Sequence, residues 1–288
     1  YQGGQGPNPA RQAAIHAGLP HAVPAMTVNK LCGSGLKAVA LAASAVRSGE
    51  AEVIVAGGME SMSGVLYGLA GSRWGERMGH GQVTDLMIMD GLWDCFYDCH
   101  MGITAENLAV EYGVTRQAQD EYALQSQQRY SAALRQGYFV DEIIPIQVPQ
   151  RKTDPLPFDI DEHPRQDASL EGLTKLRPAF DEEGTVTAGN ASGLNDGAAA
   201  VTVVAEAEAE ALGVEPLALV VDAVSVGVDP RVMGIGPAPA IEKLLERNGL
   251  TLADIDLLEV NEAFAAQVLA VGQRLDWDWD RVNVHGGA

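Results

Sequence analysis

The sequence is poor in cysteine, in aromatic side chains and in uninterrupted apolar runs. Its three cysteines are too few and too unevenly spaced for a disulfide framework. The lack of such a framework favours a reducing compartment. Aromatic residues make up 6% of the chain, so the core is expected to consist mainly of Ala, Val, Leu and Gly. No apolar stretch without glycine or charge reaches the roughly 20 residues of a membrane-spanning helix. We therefore expect no membrane partner.

Basic residues are also scarce. Nineteen Lys and Arg stand against 39 Asp and Glu, which gives a formal net charge of −20 at pH 7. Such a surface repels nucleic acid and anionic lipid, so neither is an expected partner. An anionic substrate would need a local basic patch. The length of 288 residues suits one large domain or two of ordinary size.

Both ends of the chain look truncated. Motif-rich sequence begins directly at Tyr1, and the last residues, 282–288 (VNVHGGA), stop in what resembles a strand entering a glycine turn. A targeting signal is therefore not assessable. We expect a cytoplasmic protein, because the cysteine usage indicates a reducing compartment.

The first 60 residues predict a β-α-β unit. Residues 23–31 (VPAMTVNKL) are typical of a buried strand, and a helix of small and apolar residues follows and ends at Gly49. Residues 52–58 (EVIVAGG) predict a second buried strand. A strand, an apolar helix and a strand in this order predict two parallel strands in a sheet that is covered on both faces.

The rest of the chain predicts an insertion and a second α/β run. Strand signals become rare from residue 59 to residue 190, a region that contains an amphipathic helix at 115–136 with Gly137 as its stop. A buried strand at 197–204 and a helix at 205–212 follow. The second run alternates strands and helices, with the predicted segments strand 217–227, helix 238–248, strand 254–260, helix 262–273 and a strand from 282 onward.

Cys32 is the strongest candidate for chemistry. It follows the predicted strand 23–31, and Gly33-Ser34-Gly35 then opens a helix. The N-terminus of a helix carries partial positive charge and free N–H groups, which stabilise a thiolate and a developing oxyanion. Open α/β sheets bind their ligands at the carboxyl ends of parallel strands. The alternative is an inert cysteine in the core, because Cys is among the most buried residue types.

Cys95, Cys99 and His100 suggest a metal site at first sight. Zinc normally takes four ligands, and no second cluster of His or Cys lies at a suitable spacing in the sequence. We therefore expect no metal, and we interpret the two cysteines as packed thiols beside a pocket. Met101, next to Gly102, is by its position alone more typical of a core than of a catalytic site.

Two further segments have the composition of ligand contacts. Asn261 follows the predicted strand 254–260 directly, where it either caps a turn or holds a water or a carbonyl group. Residues 184–193 (GTVTAGNASG) have small side chains and many backbone donors, which suit a flat polar ligand; a generic loop is the alternative. The Lys-Ser/Thr pattern of a phosphate-binding loop is absent from this run of the sequence.

Together these segments resemble the thiolase family over essentially the whole chain. The resemblance rests on five motifs that occur in family order: 29–35 (NKLCGSG), 57–63 (GGMESMS), 100–102 (HMG), 184–197 and 261–265 (NEAFA). It implies an α/β fold, a five-layered αβαβα sandwich of two similar halves with an inserted loop domain, incomplete in this chain. The implied domains are an N-terminal half at 1–61 and 195–214 that lacks its first strand, the loop domain at 62–194, and a truncated C-terminal half at 215–288.

The activity implied by the resemblance is acyl transfer between coenzyme A thioesters, which are substrates, so that no cofactor is expected. Cys32 takes the acyl group and passes it to coenzyme A or to the carbanion of acetyl-CoA. Asn261 holds a water in one oxyanion hole, and the Cys32 backbone N–H serves the other. The positions that match coenzyme A or acyl contacts are Leu92, His100, Met101, Arg165, Phe180, Ala188, Ser192, Leu194, Ala263 and Phe264.

The resemblance also carries expectations about charge, acyl length and assembly. Arg165 would supply positive charge that the chain as a whole lacks, and the pair His100-Met101 favours short acyl groups such as acetoacetyl. The expected partners are acyl-CoA and coenzyme A. The expected assembly is a homodimer or a homotetramer, since residues 62–90 match the part of the loop domain that tethers tetramers.

Some features depart from the family pattern. Its Gly-His-Pro motif would begin just after Ala288, so we expect the 288-residue chain to be inactive by itself although the full-length parent is active. His285 stands where the family usually has Asn, and Gly172 where it often has Ser. The alternatives are a related condensing enzyme, such as a ketoacyl synthase or a hydroxymethylglutaryl-CoA synthase, a non-catalytic thiolase-like protein that binds acyl-CoA or lipid, and a Cys-His-Asn hydrolase.

Overall fold

The structure is a computed structural model, and it describes residues 1–287. Its α-helices are α1 (Pro9–His16), α2 (Ser34–Arg47), α3 (Met101–Tyr112), α4 (Arg116–Arg135), α5 (Leu170–Thr174), α6 (Glu206–Leu212), α7 (Pro237–Asn248) and α8 (Ala265–Leu275). Its strands are β1 (Val53–Ser61), β2 (Tyr67–Gly68), β3 (Thr84–Asp85), β4 (Trp93–Asp94), β5 (Cys99–His100), β6 (Ile146–Val148), β7 (Leu156–Phe158) and β8 (Asp196–Val204). Short 3₁₀-helices occupy Pro230–Ile235, Leu252–Asp254 and Trp279–Arg281, and a π-helix occupies Ile88–Leu92.

These elements form two compact units. The first contains residues 1–93 and 194–223, and the second contains residues 94–193 and 224–287. These units group residues that contact one another, whereas the predicted domains follow the implied order of strands and helices along the chain. The predicted division into domains therefore stays a prediction. Within residues 1–287, none of the helices has the length and apolar character needed to cross a lipid bilayer.

The first unit is built on a pair of antiparallel strands with one helix against them. β1 pairs with β8 over its full length, from Val53 opposite Val204 to Ser61 opposite Asp196. Helix α2 lies close to β1, because two glycines face each other: a Cβ atom added to Gly58 would lie 3.3 Å from the Gly35 Cα. This close approach of helix and strand requires glycine at the contact.

The predicted strand at 23–31 is wrong. Residues 23–29, all within the described range, have no strand partner, and Lys30 and Cys32 form an isolated bridge. The first turn of α1 binds this segment instead: the Asn8 amide donates to the Ala25 carbonyl at 3.0 Å, and the Ala10 N–H donates to the Thr27 hydroxyl at 3.1 Å. Side chains thus occupy part of the hydrogen-bonding capacity that a sheet would have used.

The predicted parallel, covered sheet is also wrong for β1. Its partner is β8, which runs antiparallel and begins at Asp196, far along the chain from the end of β1 at Ser61. Val55 is 59% exposed and Met59 is 54% exposed, so the strand is not buried on both faces. Helix α2 is mostly half-buried, with Ala42 and Ala43 as its buried residues. An apolar run alone does not distinguish a covered strand from an accessible one.

The second unit has a core of helices. Leu108 of α3 and Val268 and Val271 of α8 are fully buried, and Ile235 and Val282 pack in the same cluster. A neighbouring cluster joins α3 and α8 to Val186 and Phe264. Full burial of each Val or Leu side chain stabilises the fold by about 1.5–3 kcal/mol. This core therefore anchors the segments 184–193 and 261–265, which carry most of the predicted site residues of the unit.

Two predicted strands of the second run are not formed as predicted. Residues 217–227 have no assigned strand in the described chain, and the Arg47 guanidinium donates to the Val220 and Val221 carbonyls. The segment 254–260 has a single parallel bridge, Leu258 to Val282. Two hydrogen bonds support it, from Leu258 N–H to the Arg281 carbonyl at 2.8 Å and from Asn283 N–H to the Leu258 carbonyl at 2.9 Å. The last predicted residue, 288, lies outside the described residues.

Helix ends are predicted more accurately than strands. Thr115 caps α4, its hydroxyl accepting from the Ala118 N–H, and Gly49 and Gly137 follow α2 and α4 with positive φ. Helix α7 begins at residue 237, one residue before the prediction. Helix α8 begins at residue 265 rather than 262, because Phe264 is held in an antiparallel bridge with Ala191.

Candidate active site

Cys32 lies in a tight turn just before helix α2, where its side chain is exposed. The residue before it, Leu31, has φ +50°, a left-handed conformation that is uncommon for a non-glycine residue. The Asn29 side chain stabilises this conformation, because its Oδ1 accepts from the Leu31 N–H at 2.9 Å. The turn therefore presents the thiol to solvent on a backbone that local hydrogen bonds fix.

The Ser34 hydroxyl closes the same turn from the helix side. It accepts from the Lys30 N–H at 2.7 Å and donates to the Leu31 carbonyl at 2.7 Å. The N–H groups of Gly33 and Ser34 donate to the carbonyls of Lys30 and Leu31 at 3.1 and 3.0 Å. These two N–H groups are therefore engaged in the turn, whereas the sequence had suggested that the helix start offers free donors.

Tyr1 lies near Cys32 in the first unit. Burial raises the pKa of its phenol, and charges nearby raise it further, those of Glu60 and Cys32 among them. The phenol donates to the Met87 carbonyl at 2.7 Å. Of the two predicted acyl-contact residues in this unit, Leu92 ends the π-helix half-buried and Leu194 is exposed.

His100 and two phenylalanines form a stacked aromatic group in the second unit. The His100 ring stacks on Phe180 with centroids 4.5 Å apart, and Phe180 meets Phe264 edge-on at 6.0 Å. A Cβ atom at Gly102 would overlap the Phe180 ring, which explains the glycine of the His-Met-Gly motif. Met101 is the first residue of α3 and is half-buried. The structure thus brings together three predicted site residues from distant parts of the sequence.

His100 is held as a neutral ring. Its Nδ1 accepts from the Gly102 N–H at 3.0 Å and so caps helix α3. Burial lowers the pKa of His100 below its ordinary value. A neutral imidazole that accepts at Nδ1 carries its proton on Nε2, which makes His100 a donor to a ligand oxygen.

A buried carboxylate supports the loop 184–193. Glu106 of α3 accepts from the N–H groups of Thr185 and Val186 at 2.9 and 2.7 Å and from the Thr185 hydroxyl at 2.9 Å. A carboxylate that accepts several N–H donors makes strong, charge-assisted hydrogen bonds. The loop that contains the predicted contacts Ala188 and Ser192 is therefore attached to a helix at its start.

Asn190 connects the same loop to helix α4 and to the start of α8. The side-chain amide of Asn190 donates to buried Asp120 at 3.0 Å, and its backbone carbonyl accepts from the Ala265 N–H at 2.9 Å. Two residues further, the Ser192 N–H donates to the Ala263 carbonyl at 3.0 Å. Ser192, Ala263 and Phe264, all predicted site residues, therefore lie on two paired segments.

Asn261 is exposed at the turn between the bridge at Leu258 and helix α8. Its neighbour Glu262 accepts from Tyr122, Ser126 and Asn283. A pocket of about 40 Å³ adjoins this turn and is lined by Tyr122, Ala123, Ser126, Gln127, His163, Gly189, Asn190, Ala191, Ser192, Glu262 and Ala265. Asn261 and Ser192 are therefore near the same concave surface of the second unit.

Arg165 lies apart from the aromatic group. Its backbone N–H donates to the Gln127 side chain at 2.7 Å, and it lines a second pocket of about 100 Å³ together with Arg135. Gln127 borders both pockets, so the predicted positive charge lies next to the surface that contains Ser192. Arg135 adds a second cation that the sequence analysis missed.

The cysteine pair differs from the prediction. Cys95 is exposed in the turn 95–98, so the interpretation as two packed thiols is wrong for it. Burial raises the pKa of Cys99, and nearby Asp94 and Asp98 raise it further, which favours the protonated thiol. Among residues 1–287, no group of three or more His, Cys, Asp or Glu side chains has the arrangement of a metal site.

Sequence reasoning missed the supporting acids Glu106, Asp120 and Glu262. All three are carboxylates on or next to helices whose neighbouring residues are buried. A charge at a position that helical periodicity assigns to the core is a signal of a buried, hydrogen-bonded carboxylate. That signal was available for Glu106 and Asp120.

Two family profiles match the chain. The thiolase N-terminal domain matches residues 1–207, and the thiolase C-terminal domain matches residues 214–288. Among curated relatives, an acetyl-CoA acetyltransferase of Pseudomonas aeruginosa is 61% identical over 285 residues, and one of Cupriavidus necator is 59% identical over 285 residues. Each alignment covers 99% of this chain and 72% of the relative.

Solved structures match this chain over a similar share of its length. The Bacillus anthracis acetyl-CoA acetyltransferase has a TM-score of 0.95 and 47% identity, with 99% of this chain and 72% of that chain covered. The human mitochondrial 3-ketoacyl-CoA thiolase has a TM-score of 0.93 and 45% identity, with 97% and 70% covered. These similarities confirm the predicted thiolase-like α/β fold, and the chain belongs to the thiolase family.

Proposed function

We propose that this thiolase is an acetyl-CoA C-acetyltransferase in which Cys32 accepts the acyl group of a short-chain 3-ketoacyl-CoA such as acetoacetyl-CoA. The main support within the structure is the exposed Cys32 thiol in its hydrogen-bonded turn at the start of α2. The relatives named acetyl-CoA acetyltransferase support the reaction class. No cofactor enters the proposal, because coenzyme A thioesters are substrates.

In thiolysis the Cys32 thiolate is proposed to attack the 3-keto carbonyl carbon of the 3-ketoacyl-CoA, and in the condensing direction it attacks the thioester carbonyl carbon of acetyl-CoA. The bond between the attacked carbon and the leaving group breaks, and an acyl-Cys32 thioester forms. In thiolysis the leaving group is the acetyl-CoA carbanion, which takes up a proton; the thiol of coenzyme A then takes the acyl group and returns the proton. In the condensing direction the leaving group is the coenzyme A thiolate, which takes up a proton. A second acetyl-CoA then loses a proton, and its carbanion attacks the acyl-Cys32 carbonyl carbon and releases the Cys32 thiolate. Asn261 is proposed to hold the water that stabilises negative charge on the thioester oxygen.

The second unit supplies most of the groups proposed to contact the substrate, and the first unit supplies Leu92 and Leu194. His100 donates through Nε2, Phe180 and Phe264 form an apolar wall, and Ala188, Ser192 and Ala263 are on the paired segments beside it. Met101, Leu92 and Leu194 are proposed acyl or pantetheine contacts. Arg165 is proposed to attract the coenzyme A phosphates, since a local cation offsets the acidic surface.

Assembly and location complete the proposal. The protein is proposed to be a homodimer or a homotetramer in the cytoplasm. Cys32, Cys95 and Cys99, which all lie in the described part of the chain, are free thiols, as a reducing compartment requires.

The test is thiolysis by the purified parent protein, because the 288 residues by themselves are expected to be inactive. Acetoacetyl-CoA is mixed with coenzyme A, and its loss is followed by absorbance beside a Cys32→Ser variant. Loss with the wild type and not with the variant is expected. Saturable binding of acetoacetyl-CoA without turnover would instead favour a binding protein. Condensation that requires a malonyl thioester would favour an enzyme of the ketoacyl synthase type.

A further inference from the structure

The residues on either side of Asn261 are both held by the same side chain. The side-chain amide of Asn283 forms hydrogen bonds with both backbone groups of Val260. Its Oδ1 accepts from the Val260 N–H at 2.8 Å, and its Nδ2 donates to the Val260 carbonyl at 2.9 Å. The same Nδ2 donates to Glu262 Oε1 at 2.8 Å. Asn283 is 1% exposed, so these bonds form away from solvent.

Glu262 is held further by helix α4. The Tyr122 hydroxyl donates to Oε1 at 2.6 Å, and the Ser126 hydroxyl donates to Oε2 at 2.7 Å. Burial raises the pKa of Tyr122, and the nearby Glu262 charge raises it further, so the phenol keeps its proton and remains a donor. With Asn283, three donors thus converge on one carboxylate.

The network extends to the turn at 283–287. The Gly287 N–H donates to the Ser126 hydroxyl at 3.0 Å, and the Arg129 guanidinium donates to the Val282 carbonyl at 2.6 Å. Helix α4 therefore fixes two turns together, the turn at 260–262 and the turn at 283–287. Between the two held residues, Val260 and Glu262, lies Asn261, whose side chain is exposed.

We propose that Glu262 is a positioning residue, which fixes the backbone of Asn261 so that the Asn261 amide keeps the orientation needed to hold its water. The proposal rests on the proposed function, because it acts through Asn261. Two observations support it over a purely structural role. Glu262 lines the pocket that also contains Ser192. The hydrogen bonds also hold the residues on both sides of Asn261, whose exposed side chain is a proposed catalytic group.

The test compares two reactions of one enzyme. Condensation of two acetyl-CoA molecules requires the water that Asn261 is proposed to hold, whereas exchange of labelled coenzyme A into acetyl-CoA requires acyl transfer to and from Cys32 alone. Glu262→Gln should lower the kcat of condensation by about tenfold or more, because displaced catalytic groups lose much of their effect. The exchange rate and the KM for acetyl-CoA should stay within about twofold.

The control variant is Glu121→Gln, which makes the same chemical change on the exposed face of α4. Both of its rates should stay at the wild-type level. Ser126→Ala removes one of the three donors to Glu262, and should lower condensation in the same direction by less. This milder variant keeps the test decisive if Glu262→Gln folds poorly.

A double variant separates positioning from independent action. In an Asn261→Ala background, Glu262→Gln should cause no further loss of condensation, because two residues that act as one unit are not additive. Additive losses, equal losses in both reactions, or unchanged condensation in Glu262→Gln would each overturn the proposal. Failure of the proposed function is distinct: Cys32→Ala would then leave exchange unchanged.

Discussion

Two turns hold Cys32 and Asn261, the proposed reacting residues, and each turn depends on a few side-chain hydrogen bonds. At Cys32, the Asn29 and Ser34 side chains stabilise Leu31 in its left-handed conformation. A non-glycine residue in this conformation costs of order 1 kcal/mol or more, so surrounding bonds must maintain it. The thiol is therefore accessible on a backbone that side-chain hydrogen bonds hold in place.

Ser34→Ala should slow the acylation of Cys32. Without the hydroxyl, the Lys30 N–H and the Leu31 carbonyl each lose a partner, and the turn is stabilised less by about 1 kcal/mol. We expect the rate of acetyl adduct formation to fall by about tenfold. The matched control is Ser44→Ala, since the Ser44 hydroxyl donates to Ala40 further along the same helix. A Ser34→Ala rate equal to that of the wild type would show that the turn forms without this bond.

The cap at His100 makes stability depend on pH. The pKa of His100 is lowered in the folded protein, so below the unfolded value of about 6.5 the unfolded chain binds the proton more strongly. Stability is full above that pH and falls as the solution is acidified below it. Protonation at Nδ1 also removes the acceptor for the Gly102 N–H.

His100→Asn should reduce this pH dependence while keeping a capping side chain. The free energy of unfolding in urea would be measured at pH 7.5 and at pH 5.5 for both proteins. A smaller loss on acidification is expected for the variant. Equal losses in the two proteins would assign the pH dependence to other groups.

At the scale of elements, helices α3 and α4 organise the loop 184–193. Glu106 binds the start of the loop, and Asp120 binds Asn190 near its end. Asp120 is itself fully buried and paired with Arg116 at 2.7 Å. Two carboxylates on helices therefore hold the loop at both of its ends, and the predicted contacts Ala188 and Ser192 remain exposed to a ligand.

Glu106→Gln should destabilise the protein by about 1–3 kcal/mol, because an amide oxygen replaces a carboxylate that accepts three donors. Urea denaturation would measure the change. Glu111→Gln is the control on the same helix, since Glu111 forms an exposed pair with Arg231, and it should change stability by less than about 1 kcal/mol. If the two variants lose the same amount, the buried bonds do not support the loop.

At the scale of the whole molecule, sequence predicts what is decided locally. Thr115 and Gly137 mark the ends of α4 because capping involves residues within four positions. The pairing of Val53 with Val204 depends on a partner far along the chain, and the strand signals at 23–31 and 217–227 gave no information about it. Periodicity alone therefore predicted strands where the chain forms none, and it missed the short strands β2–β7.

The same limit applies to the site. Cys32 and Asn261 could be singled out, because their positions beside a glycine turn and after an apolar run are visible in the sequence. The donors to Glu262 could not, since Tyr122 and Ser126 are 140 and 136 residues away. Roles of the site residues follow from the resemblance to thiolases and are open to experiment.

Assembly is a prediction about the whole molecule. Light scattering behind a sizing column should give the mass of two or four chains. Because the net charge of −20 produces repulsion between copies, association should strengthen as salt screens it. A monomeric mass at all salt and protein concentrations would contradict the proposed homodimer or homotetramer.

The most direct test of the central claim is the intact mass of the protein after brief exposure to acetoacetyl-CoA, beside a Cys32→Ala variant. The account predicts that the wild type gains one acetyl group, that peptide mapping places it on Cys32, and that the variant gains none. A folded wild type without an adduct, or an adduct that persists in Cys32→Ala, would contradict the assignment of Cys32 as the nucleophile.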